Sequence, residues 1–571
     1  MIIRDIMVRK TTRCLALFGA AAAVSFIAFG AQAQENSATP SLTLRPADPT
    51  EKGDGTLSPA AKAAIEHGPL PFSDADVAAK EAANRARDEA EKSGAKRPFS
   101  PADLSPAGGA GAGPLAPVFA GFNKQGLVGI PGERSPPDTT GAIGPTRYIQ
   151  LVNTQAGIID RTKTTPGTFI AVGTLNQLAG IAASVNSFDP QVIWDPATNR
   201  FYYTMESIFS ASDQRLSFGF STTPSPNNVT TDWCHYTLGF GPLDPDYPKL
   251  GDSQFFLIIG VNTFRPRGHF VGSDLIAISK PAAGTACPAF GTFKVGVKLN
   301  LVDSGGHQVF TPVPANQIDP SATGFVVAIS QPLPSDKLWF FNVTRNSTTG
   351  FPLFGPARGV TVRTYAISPD ADQPVFTQKL HTLDARMTQA VQAIDPRFGT
   401  FSFWTQHTVL QHFLPGSGLP DNSLVRWYEI NPVPETPVVL HWEGLADCCG
   451  FFFNAAISPD RRSDGTIHAF GNDYVIEYNY SCKICGINPL AAERSSFKGG
   501  VVRAGVGPYR DKSCTTPGST CRWGDYSAAT PDPRPVITGS GVVWGTNQFS
   551  GLLNPPADGV NWLTQIFALQ P

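Results

Sequence analysis

The residues of this chain that could bind a ligand or move a proton are carboxylates, cations and a phenol, and they lie in or beside motifs that recur. Residues 246–251 (DYPKLG) are followed by residues 260–264 (GVNTF), and residues 522–527 (RWGDYS) by residues 545–549 (GTNQF). Weaker copies extend the pattern to seven motifs, with anchors at Asp138, Asp189, Tyr247, Pro312, Met387, Phe452 and Asp525. The anchors are 51 to 75 residues apart, which predicts a chain built from similar structural units.

These residues could act on one ligand if each anchor begins the innermost strand of a propeller blade. The polar residues at one end of those strands would then face a shared channel. The residues gathered at that mouth are Asp138, Asp189, Gln191, Asp246, Lys249, Arg386, Gln389, Asn454, Arg522, Asp525 and Tyr526. Carboxylates, cations and a phenol around a solvent-filled channel mouth suit a polyhydroxylated or anionic ligand. Paired carboxylates could also act as acid and base on a glycosidic bond.

These residues fall into two groups by expected role. The catalytic candidates are Asp189, Asp246, Asp525 and Tyr526, and the ligand-binding candidates are Lys249, Arg386, Gln389, Asn454 and Arg522. An architectural role is the alternative, because polar residues repeated in every blade often tie its turns together through backbone hydrogen bonds. That alternative is favoured for Asp189, Asn262, Asp525 and Asn547. The strongest functional candidates are the residues that depart from the repeat, Lys249, Arg386 and Arg522.

The elements that must position these residues are strands. Each anchor is followed by a run rich in aromatic and β-branched residues that ends in polar residues, as residues 255–259 (FFLII) end near Asn262. Several such runs at even spacing predict an all-β fold, and periods with more than one strand favour a propeller. We therefore expect a seven-bladed β-propeller over residues 116–571, closed by pairing of residues 561–569 with residues 119–128.

The first 115 residues are predicted to lie outside the propeller. Residues 1–33 combine basic residues, an apolar stretch and a small-x-small ending, which is typical of a secretory signal peptide; a membrane anchor is the alternative. Residues 34–115 are rich in Ala, Pro, Gly and charge, which predicts a flexible tether that is helical at most around residues 74–96; a pro-segment is the alternative. We expect a secreted or periplasmic protein with no membrane span after cleavage.

Eight cysteines follow the predicted signal peptide, and an even number predicts disulfides in an exported protein. They are Cys234, Cys287, Cys448, Cys449, Cys482, Cys485, Cys514 and Cys521. The preferred pairs are Cys234 with Cys287 and Cys514 with Cys521. Zinc ligation by the other four is a weaker alternative, because two adjacent cysteines ligate one ion awkwardly.

Several functions are disfavoured by what the sequence lacks. It contains no nucleotide-binding loop, zinc-protease motif, EF-hand loop or Gly-x-Ser-x-Gly elbow, so we expect no cofactor and no metal. The formal net charge of −2 argues against a nucleic-acid partner.

Three motifs carry a resemblance to known proteins: residues 137–145 (PDTTGAIGP), 189–192 (DPQV) and 522–527 (RWGDYS). They look like the blade openings of secreted bacterial β-propeller proteins that are loosely described as sialidase-like. The resemblance extends over nearly all of the chain after Phe119, and it implies the fold rather than an activity. The stretch nearest to a sialidase Asp-box, residues 463–467 (SDGTI), lacks the tryptophan of that motif.

Two functions are compatible with these patterns, and the sequence leaves open whether the protein is an enzyme. The first is an extracellular or periplasmic recognition or scaffold protein with a polar ligand site at the channel mouth, whose partner would be a polysaccharide or a cell-surface ligand. The alternative is a glycan-acting hydrolase or polysaccharide lyase that uses the Asp, Arg, Lys and Tyr residues of that mouth.

Overall fold

Strands dominate the part of the chain that the computed structural model describes. The described residues are 42–92, 119–129, 136–163, 168–412, 420–445, 450–463, 471–483, 485–493, 499–534, 541–552 and 561–571. No helix within these ranges is long and apolar enough to cross a membrane.

Among the described residues the strands form seven sheets of four or five strands, and the fold is an all-β propeller. In chain order, the sheets contain the following strands: sheet 1, Thr140–Ile143, Arg147–Val152, Gln155–Asp160 and Phe169–Thr174; sheet 2, Asn186–Asp195, Arg200–Ser210, Asp213–Ser221, Trp233–Gly241 and, from the N-terminal region, Thr43–Pro46; sheet 3, Asp244–Asp252, Phe256–Phe264, Phe270–Ser279 and Val295–Lys298; sheet 4, Val309–Pro314, Gly324–Ser330, Ser335–Arg345, Pro352–Phe354 and Arg358–Tyr365; sheet 5, Asn316–Gln317, Met387–Asp395, Thr400–Gln411, Asn422–Asn431 and Val438–Leu445; sheet 6, Phe451–Pro459, Tyr474–Cys482, Cys485–Glu493 and Gly499–Val501; sheet 7, Ala528–Pro531, Val543–Ser550, Trp562–Leu569 and Phe119–Val128.

The remaining elements are short. A two-stranded parallel ladder joins Lys379–Leu380 to Thr520–Cys521. The helices are α1 (Pro59–His67), α2 (Asp74–Lys92) and α3 (Leu175–Ala179), with 3₁₀ turns at Phe290–Thr292 and Lys512–Cys514.

The innermost strands of the sheets surround one axis. The innermost strand of each sheet contacts that of the next sheet, and Ala528–Pro531 of sheet 7 contacts Thr140–Ile143 of sheet 1. In sheet 7, Phe119–Val128 pairs antiparallel with Trp562–Leu569, so the predicted pairing of the two ends of the domain is confirmed. Between neighbouring sheets the core is aromatic, as where the Trp427 and Tyr474 rings lie 4.5 Å apart.

The recurring motifs produce a β-bulge in five of the innermost strands. The register shifts lie at Phe188/Gln191, Asp246/Lys249, Phe310/Val313, Met387/Gln389 and Phe453/Ala456. Within four of these bulges one residue has a left-handed backbone, with φ of 55° at Asp189, 58° at Tyr247, 53° at Thr311 and 50° at Asn454. Asp and Asn tolerate this conformation best because a short polar side chain can hydrogen-bond locally. A bulge re-aims side chains, here at one end of each innermost strand.

The N-terminal region differs from the predicted tether wherever it is described. Thr43–Pro46 adds a fifth strand to sheet 2, and the α1 residues Ala60 and Ala64 pack in a core cluster with Phe310. The composition of the segment limits only the apolar area that it can bury against itself. In the structure its alanine face instead uses apolar surface that the propeller supplies. Residues 1–41 and 93–118 lie outside the described residues.

Both preferred disulfides are present. Cys234 is bonded to Cys287, and Cys514 is bonded to Cys521. Cys482 is also disulfide-bonded, so its sulfur is not a free thiolate for zinc. Cys448, Cys449 and the side chain of Cys485 lie outside what the structure describes.

Candidate ligand site

Most of the polar residues predicted for the channel mouth meet at one end of the ring of innermost strands. They border a cavity of about 20 Å³, which has room for about one water molecule. Its lining includes Asp138, Asp189, Asp246, Arg522 and Asp525. The sequence placed these residues in four different motifs, and the propeller brings them together.

A phenol and a carboxylate form a short hydrogen bond beside this cavity. The Tyr526 hydroxyl donates to Asp189 Oδ2 at 2.6 Å, and the Tyr526 ring stacks on Tyr247 with centroids 5.0 Å apart. Burial raises the pKa of Asp189 to about 6, although the hydrogen bond from Tyr526 opposes the rise. A carboxyl group with a pKa near neutrality, held by a phenol, can exchange a proton with a bound ligand.

Lys249 lies against the same two aromatic rings. Its Nζ is 3.6 Å from the centre of the Tyr526 ring and 3.9 Å from that of Tyr247. The amine is buried and has no hydrogen-bond partner within the described structure. Burial lowers the pKa of Lys249 well below its usual range, and the nearby charges of Asp189 and Asp525 oppose the shift only in part.

Arg522 pairs with one of the carboxylates that line the cavity. Its Nη2 lies 2.5 Å from Asp525 Oδ2, and the Asp525 backbone N–H donates to Asp138 Oδ1 at 2.7 Å. Asn153 donates to the other oxygen of Asp138 at 2.6 Å. Burial raises the pKa of Asp138 well above its usual value, and the charge of Asp525 adds to the rise. Arg522 is therefore the principal cation of this acidic group.

Arg386 is held by a neighbour rather than by the candidate carboxylates. Its Nε and Nη2 contact the two oxygens of Asp384, each at 2.7 Å. The guanidinium lies 4.6 Å from the centre of the Tyr247 ring, while its Nη1 has no partner in the described residues. The residue thus borders the tyrosine pair with one donor unused.

The N-terminal segment covers the mouth. Arg522 Nη1 donates to the carbonyl oxygens of Ala64 and Ile65 near the end of α1, and Arg386 Nη2 donates to Leu70 O at 2.9 Å. Cations are favoured at a helix C-terminus, where unpaired carbonyls carry partial negative charge. Residues 59–70 therefore form a cover whose backbone accepts hydrogen bonds from both arginines.

Three predicted residues donate hydrogen bonds to backbone carbonyls. Gln389 donates to Ala529 O at 2.8 Å, and Asn454 donates to Tyr526 O at 3.2 Å. Gln191 donates to the carbonyl of the preceding residue at 3.0 Å. The bond from Gln389 links the innermost strands of sheets 5 and 7, and the bond from Asn454 links that of sheet 6 to the residues just before that of sheet 7. Both are architectural roles, the alternative to ligand binding.

Sequence reasoning missed three residues of the site. Asn153 follows the second strand of sheet 1, Glu206 lies in the second strand of sheet 2, and Asp244 begins sheet 3. Burial raises the pKa of Glu206 well above its usual value and that of Asp244 to about 6. The sequence signal for Glu206 is a charge at the end of an apolar run, residues 201–206 (FYYTME), because an unpaired charge is rarely buried without a purpose.

Comparisons with known proteins give a weak likeness of fold. No family model and no curated protein matches the sequence. The similar solved structures include the exo-beta-1,3-galactanase 1,3Gal43A from Clostridium thermocellum, at 8% identity over 76% of this chain and 95% of that chain, with a TM-score of 0.29. Another is a subtype N11 neuraminidase-like protein of A/flat-faced bat/Peru/033/2010, at 10% identity over 65% of this chain and 93% of that chain, with a TM-score of 0.29. A third is an endo-1,5-alpha-L-arabinanase from Thermotoga petrophila RKU-1, at 11% identity over 80% of this chain and 100% of that chain, with a TM-score of 0.26.

Proposed function

We propose that this protein is a recognition propeller that binds a polar ligand at the channel mouth. The observation that carries the proposal is a set of buried polar atoms with no hydrogen-bond partner in the described structure. They are Asp246 Oδ2, Lys249 Nζ, Arg386 Nη1 and Arg522 Nε. A buried polar group left unpaired costs about 1 to 3 kcal/mol. A ligand that pairs with these atoms gives a physical reason for their being there.

The ligand best suited to this mouth carries both hydroxyl groups and an anionic group. Hydroxyls can donate to Asp189 and Asp246, while a carboxylate or sulfate can accept from Lys249, Arg386 and Arg522. Acidic sugars have this combination. The cover, residues 59–70, must move for such a ligand to enter, since the cavity beneath it has room for about one water molecule.

Glycan cleavage is the second candidate, and it is favoured by the bond between Asp189 and Tyr526. A carboxyl group with a pKa of about 6 beside the lysine of lowered pKa, Lys249, offers an acid and a base on one side of a bound sugar. Asp246 and Asp525 complete the set of catalytic candidates in this proposal.

The number of blades, the cleavage of the signal peptide and the export of the protein are further proposals. We infer a ring of seven blades, supported by the seven sheets and by contact between the innermost strands of the first and last. We also propose cleavage after Ala33 and export to the periplasm or medium, supported by the two disulfides.

One experiment tests both functions. The purified protein is incubated with neutral and uronic-acid polysaccharides, and retention is measured together with new reducing ends and unsaturated products. We expect retention of acidic polysaccharides, with binding at least 10-fold weaker in Lys249→Met. The matched control is Lys298→Met, on the outermost strand of sheet 3. Binding that Lys249→Met leaves unchanged would exclude the mouth as the site, and products abolished by Asp189→Asn would favour the enzyme.

A further inference from the structure

Beneath the proposed ligand site lies a cluster of carboxyl groups without a matching set of cations. Asp189, Glu206 and Asp246 are all buried, and one carboxylate oxygen of each lies within 4.8 Å of the others. Asp189 belongs to the innermost strand of sheet 2, Glu206 to the second strand of that sheet, and Asp246 to the innermost strand of sheet 3. The cluster therefore joins two neighbouring sheets at the channel.

A fourth carboxyl group independently points to a missing partner. Asp244 is 1% exposed, its carboxyl group is within hydrogen-bonding reach of that of Glu206, and neither of its oxygens accepts from an N–H or hydroxyl donor in the described residues. Both oxygens of Glu206 and one of Asp246 are likewise unpaired. Five buried carboxylate oxygens without a donor on adjoining side chains are an unfavourable arrangement unless something positive or protonated lies between them.

The neighbouring cations are engaged elsewhere. Arg386 is paired with Asp384, Arg522 is paired with Asp525, and Lys249 lies between two tyrosine rings. Of these three, Arg386 lies close enough to Asp246 to favour its charged form. No cation in the described chain contacts Glu206 or Asp244 through a hydrogen bond.

We propose that Asp189, Glu206 and Asp246 bind one divalent cation of the calcium class, with Asp244 beside it. Two oxygens bound to the same calcium ion are at most about 5 Å apart, which agrees with the separation limit of this cluster. Calcium is favoured over magnesium because magnesium keeps several waters, and the adjoining cavity has room for about one. This proposal goes beyond the proposed function and departs from the expectation of no metal.

An ion could enter this site from the channel, and once bound it would link two sheets. Asp189 and Asp246 line the cavity at the mouth, so an ion can reach the cluster from the channel once the cover moves. Bound there, it would join the innermost strands of sheets 2 and 3. It would also present a positive charge toward a ligand in the mouth, which an acidic sugar could contact.

The test measures calcium binding by the full protein without any glycan, so its result is independent of the proposed function. The protein is dialysed against a chelator, its metal content is measured by mass spectrometry, and calcium is then titrated in a calorimeter and in thermal unfolding. We expect one calcium per chain and a rise in Tm of several degrees with added calcium. Magnesium at the same concentration should give a smaller rise.

Two variants identify the ligands. Glu206→Gln should weaken calcium binding on the order of 100-fold, whereas Glu477→Gln should not, since Glu477 is equally buried but accepts from Asn547 at 2.6 Å. If Glu206→Gln fails to fold, the wild-type metal content still decides the question. Chelated protein that takes up no calcium and keeps its Tm would overturn the proposal and leave shared protons as the cluster's partners.

Discussion

The channel mouth and the ties between the blades are built from similar residues of the same repeat, yet they differ in how well their polar atoms are paired. Asn262 donates to Thr311 Oγ1 at 2.9 Å and accepts from Ser273 at 2.8 Å and from the Thr311 backbone at 2.8 Å. Lys249 lies in the strand paired with that of Asn262 and has no hydrogen-bond partner in the described structure. A buried polar side chain whose hydrogen bonds are all made within the protein indicates an architectural role. One that keeps unpaired atoms indicates a ligand site.

The largest expected effect concerns the architectural region. Asn262→Ala leaves the Thr311 N–H and two buried hydroxyls without their partner, which should lower the free energy of unfolding by about 4 kcal/mol. Urea unfolding followed by tryptophan fluorescence measures it. A loss below 1 kcal/mol would mean that complete pairing does not distinguish architecture from function here.

The second largest effect concerns the contact that holds α2 of the N-terminal segment on the propeller. Arg87 lies 3.0 Å from Asp372 and is buried, so Arg87→Met should raise the population of the open cover by removing about 3 kcal/mol of local stability. Hydrogen exchange in residues 59–70 should accelerate, and ligand association should become faster. Arg85→Met, on the exposed side of the same helix, is the control. Equal exchange in both variants would show that α2 does not hold the cover.

A pH effect should come from a paired histidine inside a blade. His407 Nδ1 is 3.0 Å from Ala385 O and Nε2 is 3.0 Å from the Tyr428 hydroxyl, a pairing that suits the neutral ring. Burial lowers the pKa of His407 to about 3, below its unfolded value near 6.5. The stability that it contributes is therefore present above pH 6.5 and is lost as the pH falls toward 3.

Between pH 7.5 and pH 5 this loss should amount to about 2 kcal/mol, because the unfolded state gains a proton that the folded state excludes. His407→Gln should remove that part of the pH dependence of urea unfolding. His412→Gln should leave it unchanged, since the His412 side chain is 70% exposed. If the free energy of unfolding of His407→Gln depends on pH as steeply as that of the wild type, other groups cause the effect.

The smallest expected effect has the opposite sign. Lys249→Met replaces an unpaired buried amine with an apolar side chain of similar length, so the free energy of unfolding should rise by about 1 kcal/mol while ligand binding is lost. The measurement is urea unfolding beside the polysaccharide retention assay. Lys249→Met that destabilises as strongly as Asn262→Ala would remove the distinction between the two regions.

The recurring motifs predicted a large part of the fold because the conformation they encode is local. An Asp or Asn at a left-handed position lies within the bulge of the innermost strand at Asp189 and at Asn454. The cysteine spacing likewise gave both preferred disulfides. The N-terminal segment could not be predicted in this way, since α1 and α2 are stabilised by a surface that lies hundreds of residues away in the chain.

The repeat predicted which polar residues lie toward the mouth, but not how each of them is paired. Lys249 lies against the Tyr526 ring and Arg522 lines the cavity, whereas Gln389 and Asn454 donate to backbone carbonyls. Glu206 ends the aromatic run after Asp189 as Asn262 ends the run after Tyr247, so the repeat contained it without marking its role, whereas Asp244 precedes its motif.

By itself the sequence determined the repeat, its bulged strands, the two pairs of cysteines and the end of the strands at which polar residues collect. Each of these depends on residues close together in the chain or on a pattern that recurs. Only the tertiary structure decided which polar atoms are paired, because Tyr526 and Asp189 are 337 residues apart and meet only when the ring closes. The same closure left Lys249 without a hydrogen-bond partner in the described structure, brought together the carboxyl groups of Asp189, Glu206 and Asp246, and laid α1 across the mouth.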